Sequence, residues 1–203
     1  MEFKAETTAL VVVDMQNDFV RQGAALEVPQ ARDTIAANQK MIAMARKLDM
    51  PVIFTKFVSG PKRVLLWNWS PQIPENNCCV RGFRRYYPEV DTEQDCTDVI
   101  DELYPESGDY IVEKYGYSAF HNTNLIDILR AHGCDSIVVT GTVTQICVAD
   151  TVHDAFHEVL QVLVAADCVS SFDDNQHQAA LANIEMKYGV VETSEQIEQR
   201  FSR

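Results

Sequence analysis

The chain has 203 residues, 46% hydrophobic and 23% charged, which is the balance of an ordinary globular protein and excludes a disordered or fibrous one. A formal net charge of −13 argues against nucleic acid and anionic membrane surfaces as partners, because both are polyanions. The early apolar run Ala9 to Val13 is too short for a bilayer span or a leader core. A cytoplasmic protein is therefore expected, with Cys78, Cys79, Cys96, Cys134, Cys147 and Cys168 as reduced thiols that lack the CxxC spacing of a zinc site.

Runs of β-branched residues alternate with amphipathic stretches, the pattern of a parallel sheet covered by helices. Thr8 to Asp14 reads as a central strand buried on both faces and ending in an acid. Residues 29–49 read as a helix, with Ile35, Ile42 and Ala45 on one stripe and Met41, Met44 and Leu48 beside it. Pro51 to Phe57 is a second strand. Residues 59–108 form an irregular excursion rich in Pro, Asn and Trp, with one short helix near Thr97 to Leu103. Alternation then resumes: a strand at Asp109 to Glu113, a helix at Ser118 to His132 closed by Gly133, and a strand at Ser136 to Thr140. A helix follows from Thr144, then a strand at Val159 to Ala166, a helix at Asp173 to Tyr188 and a last strand at Val190 to Glu192. The charged stretch Glu195 to Arg203 reads as frayed chain or a surface helix. The expected fold class is α/β, a single doubly wound and mainly parallel sheet of about six strands with helices on both faces, spanning residues 1–203 as one domain.

Chemistry in such sheets gathers beyond the carboxyl ends of the strands. Asp14 ends the first strand, Lys114 ends the 109–113 strand, and Cys147 sits in the first helical turn after Ser136 to Thr140. A helix N-terminus and a nearby lysine favour a thiolate, while a carboxylate can take the thiol proton and return it to a leaving amine. Each residue also has a bland reading: a buried structural thiol, a cap, a solvated ammonium.

Three segments carry a resemblance. Ala9 to Val20 (ALVVVDMQNDFV), Lys114 to Phe120 (KYGYSAF) and Gly141 to Val148 (GTVTQICV) resemble, in order, the opening-strand, lysine and nucleophile motifs of the isochorismatase-like cysteine hydrolases. That superfamily includes nicotinamidases and several amidohydrolases. The similarity runs from about residue 8 to residue 195 and implies a catalytic Asp14, Lys114 and Cys147. It also implies a cis Thr142–Val143 peptide, an oxyanion hole made by the Val143 and Cys147 N–H groups, and Phe19 on the pocket wall. Tyr117, Trp69 and Arg84 are further candidates for contacting substrate.

Metal-containing relatives carry Asp-x-His after strand two and a further His before a Cys-Val pair. The matching positions here are Phe57, Ser59 and Cys78, so no metal and no cofactor is expected. Arg81, Arg84 and Arg85 are candidates for capturing an anionic substrate group, or equally for pairing with surface acids. His153 and His157 share a helix face like zincin ligands, but no third ligand is evident. Trp67 and Trp69 suit a pocket wall, an oligomer contact or an anchor for the loop.

The resemblance, with a cysteine at position 147, points to metal-independent hydrolysis of an amide or ureide C–N bond in a small substrate through a thioester. An isochorismatase-type enol-ether hydrolase and a catalytically silent oligomeric binding module are the alternatives. A homo-oligomer is expected by resemblance, with neither nucleic acid nor membrane as partner.

Overall fold

The computed structural model describes residues 2–60 and 65–202. In chain order these form β1 (Thr8–Val13), α1 (Asn17–Val20), α2 (Ile35–Lys47), β2 (Val52–Phe57), α3 (Leu66–Trp69), α4 (Gln72–Glu75), β3 (Arg84–Tyr87), β4 (Thr92–Asp95) and β5 (Tyr110–Lys114). They continue with α5 (Leu125–Ala131), β6 (Ser136–Thr142), a π-type turn over Thr144–Val148, α6 (Ala149–His157), β7 (Gln161–Ser170), α7 (Asp174–Lys187), β8 (Val190–Glu192) and α8 (Ser194–Phe201).

Six strands make one parallel sheet in the order β5-β2-β1-β6-β7-β8. The two central strands are buried along their whole length, as their continuous apolar runs require. Side chains of β1 alternate between two cores. Leu10 and Val12 join Met41, Met44 and Ala45 of α2 and Ile197 of α8 on one face. Ala9, Val11 and Val13 join Leu125 and Leu129 of α5, Val152 of α6, and Leu181 and Ile184 of α7 on the other. Each fully buried branched side chain contributes about 1.5–3 kcal/mol as an upper estimate.

Several boundaries differ from the sequence reading, each for a local reason. The helix expected over Ser118 to His132 starts only at Leu125. Ahead of it, the Ser118 hydroxyl accepts the Phe120 N–H, the Thr123 hydroxyl donates to the Ala119 carbonyl, and Asn122 takes a positive φ of 56°. Short polar side chains thus compete with the helical ladder. The 29–49 helix begins as a 3-10 turn over Pro29–Thr34. Strand β7 starts two residues later than expected and runs four further, because Val169 and Ser170 pair with Gly141 and Thr142 of β6. The excursion carries α3 and α4, an antiparallel hairpin of β3 and β4, and a 3-10 turn at Asp101–Leu103 where a short helix was expected. Part of it, residues 61–64, lies outside the described residues. The C-terminal stretch is neither frayed nor wholly superficial: Thr193 caps α8 in a capping box with Gln196, and Ile197 is fully buried. Among the described residues no helix is long and apolar enough to cross a membrane.

Candidate active site

The connection from β1 to β2 and the crossover from β5 to β6 lead to opposite sides of β1, so the strand order switches between β1 and β6. A crevice opens there at the carboxyl ends. Gly141 permits the close approach that this needs. Its φ is +104°, and a Cβ built on it would stand 2.0 Å from the Val13 carbonyl oxygen, so no side chain fits between the two strand ends.

Asp14 leaves β1 in the left-handed region, at φ 49°, which an aspartate tolerates better than most residues. Thr55 of β2 holds it twice: the Asp14 N–H donates to the Thr55 hydroxyl oxygen at 3.1 Å, and that hydroxyl donates to Asp14 Oδ1 at 2.6 Å. Lys114, at the end of β5, reaches across β2 to place Nζ 2.6 Å from Asp14 Oδ2. Its ammonium also donates to the Gly116 carbonyl at 3.1 Å and lies 5.6 Å from the centre of the Phe57 ring. Both ionic side chains are fully buried. The Cys147 sulfur sits close enough to hydrogen-bond with both. The structure therefore brings Asp14, Lys114 and Cys147 into mutual contact at the carboxyl ends of three separate strands, β1, β5 and β6.

The turn before Cys147 is anchored from below. The Thr142 and Thr144 hydroxyls both donate to the Ser170 carbonyl, at 3.3 and 3.0 Å. Because the Thr144 hydrogen is directed there, its oxygen accepts from His177 Nδ1–H of α7, 2.8 Å away. The Thr142–Val143 peptide between these anchors is cis. The Thr151 hydroxyl donates to the Cys147 carbonyl at 2.7 Å and accepts the Ala119 N–H at 3.0 Å, tying α6 to the segment after Lys114.

Burial pushes the Cys147 thiol up to about 12, with the Asp14 carboxylate adding to the effect and the Lys114 ammonium opposing it. The sequence reading expected a thiolate favoured by helix terminus and lysine. The closed site instead stores the proton on sulfur, beside a carboxylate able to take it. Burial works against the Lys114 ammonium too, but the Asp14 charge and the neighbouring sulfur outweigh it and raise its pKa above the ordinary lysine value.

Cys147 opens into a cavity of about 370 Å³ walled largely by apolar side chains, including Phe19, Phe57, Ile73, Val143 and Ile146. Two of the candidate substrate contacts line it, Phe19 and Tyr117. The other two do not. Trp69 is 79% exposed, while its neighbours Leu66 and Ser70 form the wall. Arg84 is exposed and donates to the Glu93 carbonyl across the β3–β4 hairpin. Its two companions are engaged elsewhere as well: Arg81 pairs with Glu113, and Arg85 donates to Asp18 Oδ1 at 2.8 Å and to the Asn76 carbonyl at 2.9 Å. A hairpin presents alternate side chains to opposite faces, so an arginine-rich strand need not aim any of them at the crevice.

Sequence reasoning missed three supports. Thr55 is a hydroxyl in a strand otherwise apolar on that face, and that was its only signal. Gln16 donates from Nε2 to the Phe57 and Thr97 carbonyls at 2.9 Å each and accepts the Phe57 N–H at 2.7 Å. Asp18, fully buried, accepts from Arg85, the Tyr87 hydroxyl and the Cys79 N–H, so the acid-rich opening motif fastens the excursion over the site. At the positions aligned with metal ligands, Phe57 faces the cavity and the Ser59 hydroxyl donates to the Cys78 carbonyl. His153 packs against Tyr188, with ring centres 4.2 Å apart and planes tilted by 51°. Among the described residues no group of three or more His, Cys, Asp or Glu side chains is placed to hold a metal ion.

The sequence matches the isochorismatase domain over residues 8–196. It is 35% identical over 197 residues to the ureidoacrylate amidohydrolase RutB of Methylobacterium radiotolerans, covering 91% of this chain and 76% of that protein. The RutB of Pseudomonas syringae pv. syringae is 33% identical, with coverage of 100% and 86%. A cysteine hydrolase from Pseudomonas syringae pv. phaseolicola superposes with a TM-score of 0.90 at 28% identity, covering all of this chain and 95% of that one. The N-carbamoylsarcosine amidase of Thermoplasma acidophilum gives a TM-score of 0.72 at 32% identity over 93% of this chain and 97% of that one.

Proposed function

The chain belongs to the isochorismatase family, and from that premise we propose that Asp14, Lys114 and Cys147 are the catalytic groups with which it hydrolyses an amide or ureide C–N bond. It is a hydrolase of the cysteine, C–N-cleaving kind, as its amidohydrolase and amidase relatives are. The observation that carries the residue assignment is the contact of a buried carboxylate and a buried ammonium with one thiol at the floor of an apolar cavity.

The Asp14 carboxylate accepts the Cys147 proton as the sulfur attacks the substrate carbonyl carbon. The carbonyl oxygen gains the negative charge and takes hydrogen bonds from the Val143 and Cys147 N–H groups. The C–N bond then breaks, and the Asp14 carboxyl returns its proton to the departing nitrogen, leaving a thioester on Cys147. Asp14 next takes a proton from water, the hydroxide oxygen attacks the thioester carbon, and the C–S bond breaks. The proton held on Asp14 returns to sulfur, which restores the thiol and releases the acid. Lys114 keeps the site's net charge from growing as negative charge moves between carboxylate and sulfur. Every step draws on groups of the chain itself.

Phe19 and Tyr117 shape the wall against which the substrate rests. The catalytic unit is a homo-oligomer on the same reading, with a small amide or ureide substrate and a cytoplasmic setting.

Ammonia release over a panel of amides and ureides tests the assignment. Cys147→Ala and Asp14→Asn lose turnover by at least about 10³-fold while keeping wild-type far-ultraviolet circular dichroism. A Cys147→Ala protein that released ammonia at the wild-type rate would sink the mechanism, and an acyl adduct on Cys147 seen by mass spectrometry supports it directly.

A further inference from the structure

The turn that carries the proposed oxyanion donors is gripped from the end of β7. The Ser170 carbonyl accepts the Thr142 hydroxyl at 3.3 Å and the Thr144 hydroxyl at 3.0 Å, one on each side of Val143. The Val143 carbonyl is fixed in turn by the Ile146 N–H at 3.0 Å and the Val148 N–H at 3.1 Å. From Ser170 a short hydrogen-bonded junction leads into α7. Within it the Asp173 N–H donates to the Ser171 hydroxyl at 2.9 Å, and that hydroxyl donates to the Asp173 carbonyl at 3.1 Å. Asp173 Oδ1 then caps α7 by accepting the Gln176 N–H at 2.9 Å, and the Asp173 carbonyl accepts the His177 N–H at 2.9 Å. Phe172 of the same junction lines the cavity.

Thr144 is fully buried, and its hydroxyl has one hydrogen to give. With that hydrogen directed to Ser170, the oxygen is left to accept from His177 Nδ1, 2.8 Å away. Burial lowers the His177 pKa against the opposing charge of Asp174, so near pH 7 the ring is neutral and carries its one hydrogen on Nδ1. The result is a directed chain, from His177 Nδ1–H to the Thr144 hydroxyl to the Ser170 carbonyl, that ties the turn to α7 and β7 at once. Deleting the ring strips a buried oxygen of its donor, and the turn then has to shift or leave that oxygen unmatched. A shift matters here, because an oxyanion donor is worth about 10²–10³ in rate and a misplacement of about 1 Å can cost about 10²-fold.

We infer that His177 is a positioning residue for the hydrolysis, acting through the Thr144 hydroxyl to aim the Val143 and Cys147 N–H groups at the substrate oxygen. The inference rests on the reading of those two N–H groups as the oxyanion hole. It concerns the step in which negative charge builds on oxygen, and it leaves the nucleophilicity of Cys147 to Asp14 and Lys114.

Two reagents separate those roles. In acylation by p-nitrophenyl acetate the sulfur attacks the acetyl carbon and its proton passes to Asp14. Negative charge builds on the carbonyl oxygen, and the ester C–O bond breaks to release p-nitrophenolate. In alkylation by iodoacetamide the sulfur displaces iodide from carbon, the proton again passes to Asp14, and no oxyanion forms. With a Cys147→Ala background subtracted, His177→Leu is expected to slow p-nitrophenolate release at least about tenfold, while alkylation of Cys147, followed by mass spectrometry, stays within about twofold of wild type. His177→Asn puts Nδ2 in the place of Nδ1 and restores acylation to within about threefold of wild type; His177→Gln, one methylene longer, does not. Thr144→Val removes the link, so His177→Leu added to it costs less than about a further twofold. Should His177→Leu fail to fold, the asparagine and glutamine variants decide, with acylation rates expected to differ at least about fivefold. Equal losses in both reactions, undiminished acylation in His177→Leu, no rescue by asparagine, or a full His177→Leu effect on top of Thr144→Val each overturns the inference alone. A wild-type Cys147 that the ester does not acylate overturns the hydrolytic reading and the inference together, so the two failures are distinguishable.

Discussion

Removing the cation from the buried pair is the most demanding test of this site. In Lys114→Met the apolar stem is retained while Asp14 keeps its charge and only neutral side-chain partners, the Thr55 hydroxyl and the Cys147 thiol. At the observed separation of 2.6 Å, with an effective dielectric constant of about 20, the attraction between the two charges is about 6 kcal/mol. Desolvation offsets part of that in the intact protein, but stripping one partner exposes the penalty of the other, so a loss of about 3–5 kcal/mol is expected. That is a large fraction of a total stability of about 5–15 kcal/mol. Urea denaturation at pH 7, with Asp14→Asn and the double variant completing a cycle, measures it. The double variant recovers at least about 2 kcal/mol relative to additivity. A Lys114→Met loss below about 1 kcal/mol, or a strictly additive cycle, would show that the two charges do not depend on one another. The pH dependence adds a sign check. Lys114 has a folded pKa raised above its unfolded value of 10.5, so its contribution is complete at neutral pH and is lost as pH rises through the folded value. Wild-type stability therefore falls above about pH 10.5 by an increment absent from Lys114→Met.

Three further outcomes follow from the same geometry. Asp14→Asn removes a negative charge that raises the Cys147 thiol, so alkylation of Cys147 by iodoacetamide at pH 8 becomes at least several-fold faster while turnover is lost; slower alkylation would contradict the electrostatics. Thr55→Val deletes the 2.6 Å hydrogen bond to Asp14 Oδ1 and leaves the Asp14 N–H unpaired, costing about 1–3 kcal/mol in denaturation and about tenfold in kcat, read by steady-state kinetics. Gly141→Ala drives a methyl group into the backbone of Val13 at a φ that disfavours any side chain, so a loss above about 3 kcal/mol, or failure to accumulate folded protein, is expected in expression and thermal-melt assays.

Much of this architecture was legible in the sequence, and for a physical reason. A strand buried on both faces has to be apolar almost throughout, so Ala9 to Val13 and Ser136 to Thr140 announced themselves, and with them the strand ends beyond which Asp14 and Cys147 lie; Lys114 instead ends the part-buried edge strand β5. The helical stripe of Ile35, Ile42 and Ala45, with Met41, Met44 and Leu48 beside it, was equally plain; Met41, Ile42, Met44 and Ala45 are buried, while Ile35 and Leu48 are partly so. The stretch ahead of α5 was not, because Ser118, Asn122 and Thr123 form hydrogen bonds with nearby backbone that a count of apolar positions does not register. The C-terminal helix was underestimated for the opposite reason. One buried residue, Ile197, and one capping box are enough to dock an otherwise polar segment.

What the chain's order of residues determined by itself is the set of reactive groups and the ends of the strands that carry them. What only the tertiary structure decided is their company. Partnership depends on which strands become neighbours, and the placement of β2 between β1 and β5 is what puts the Thr55 hydroxyl under Asp14 and stretches Lys114 across to it. The same holds for charge. Arg84 and Arg85 read alike along the sequence, yet the pleat of a hairpin sends one to a neighbouring carbonyl and the other to buried Asp18, leaving the cavity to apolar walls. A protonation state is decided last of all, since burial is a property of the packed molecule. The Cys147 thiol, which its helix terminus and its lysine would favour as a thiolate, holds its proton because the fold closes around it.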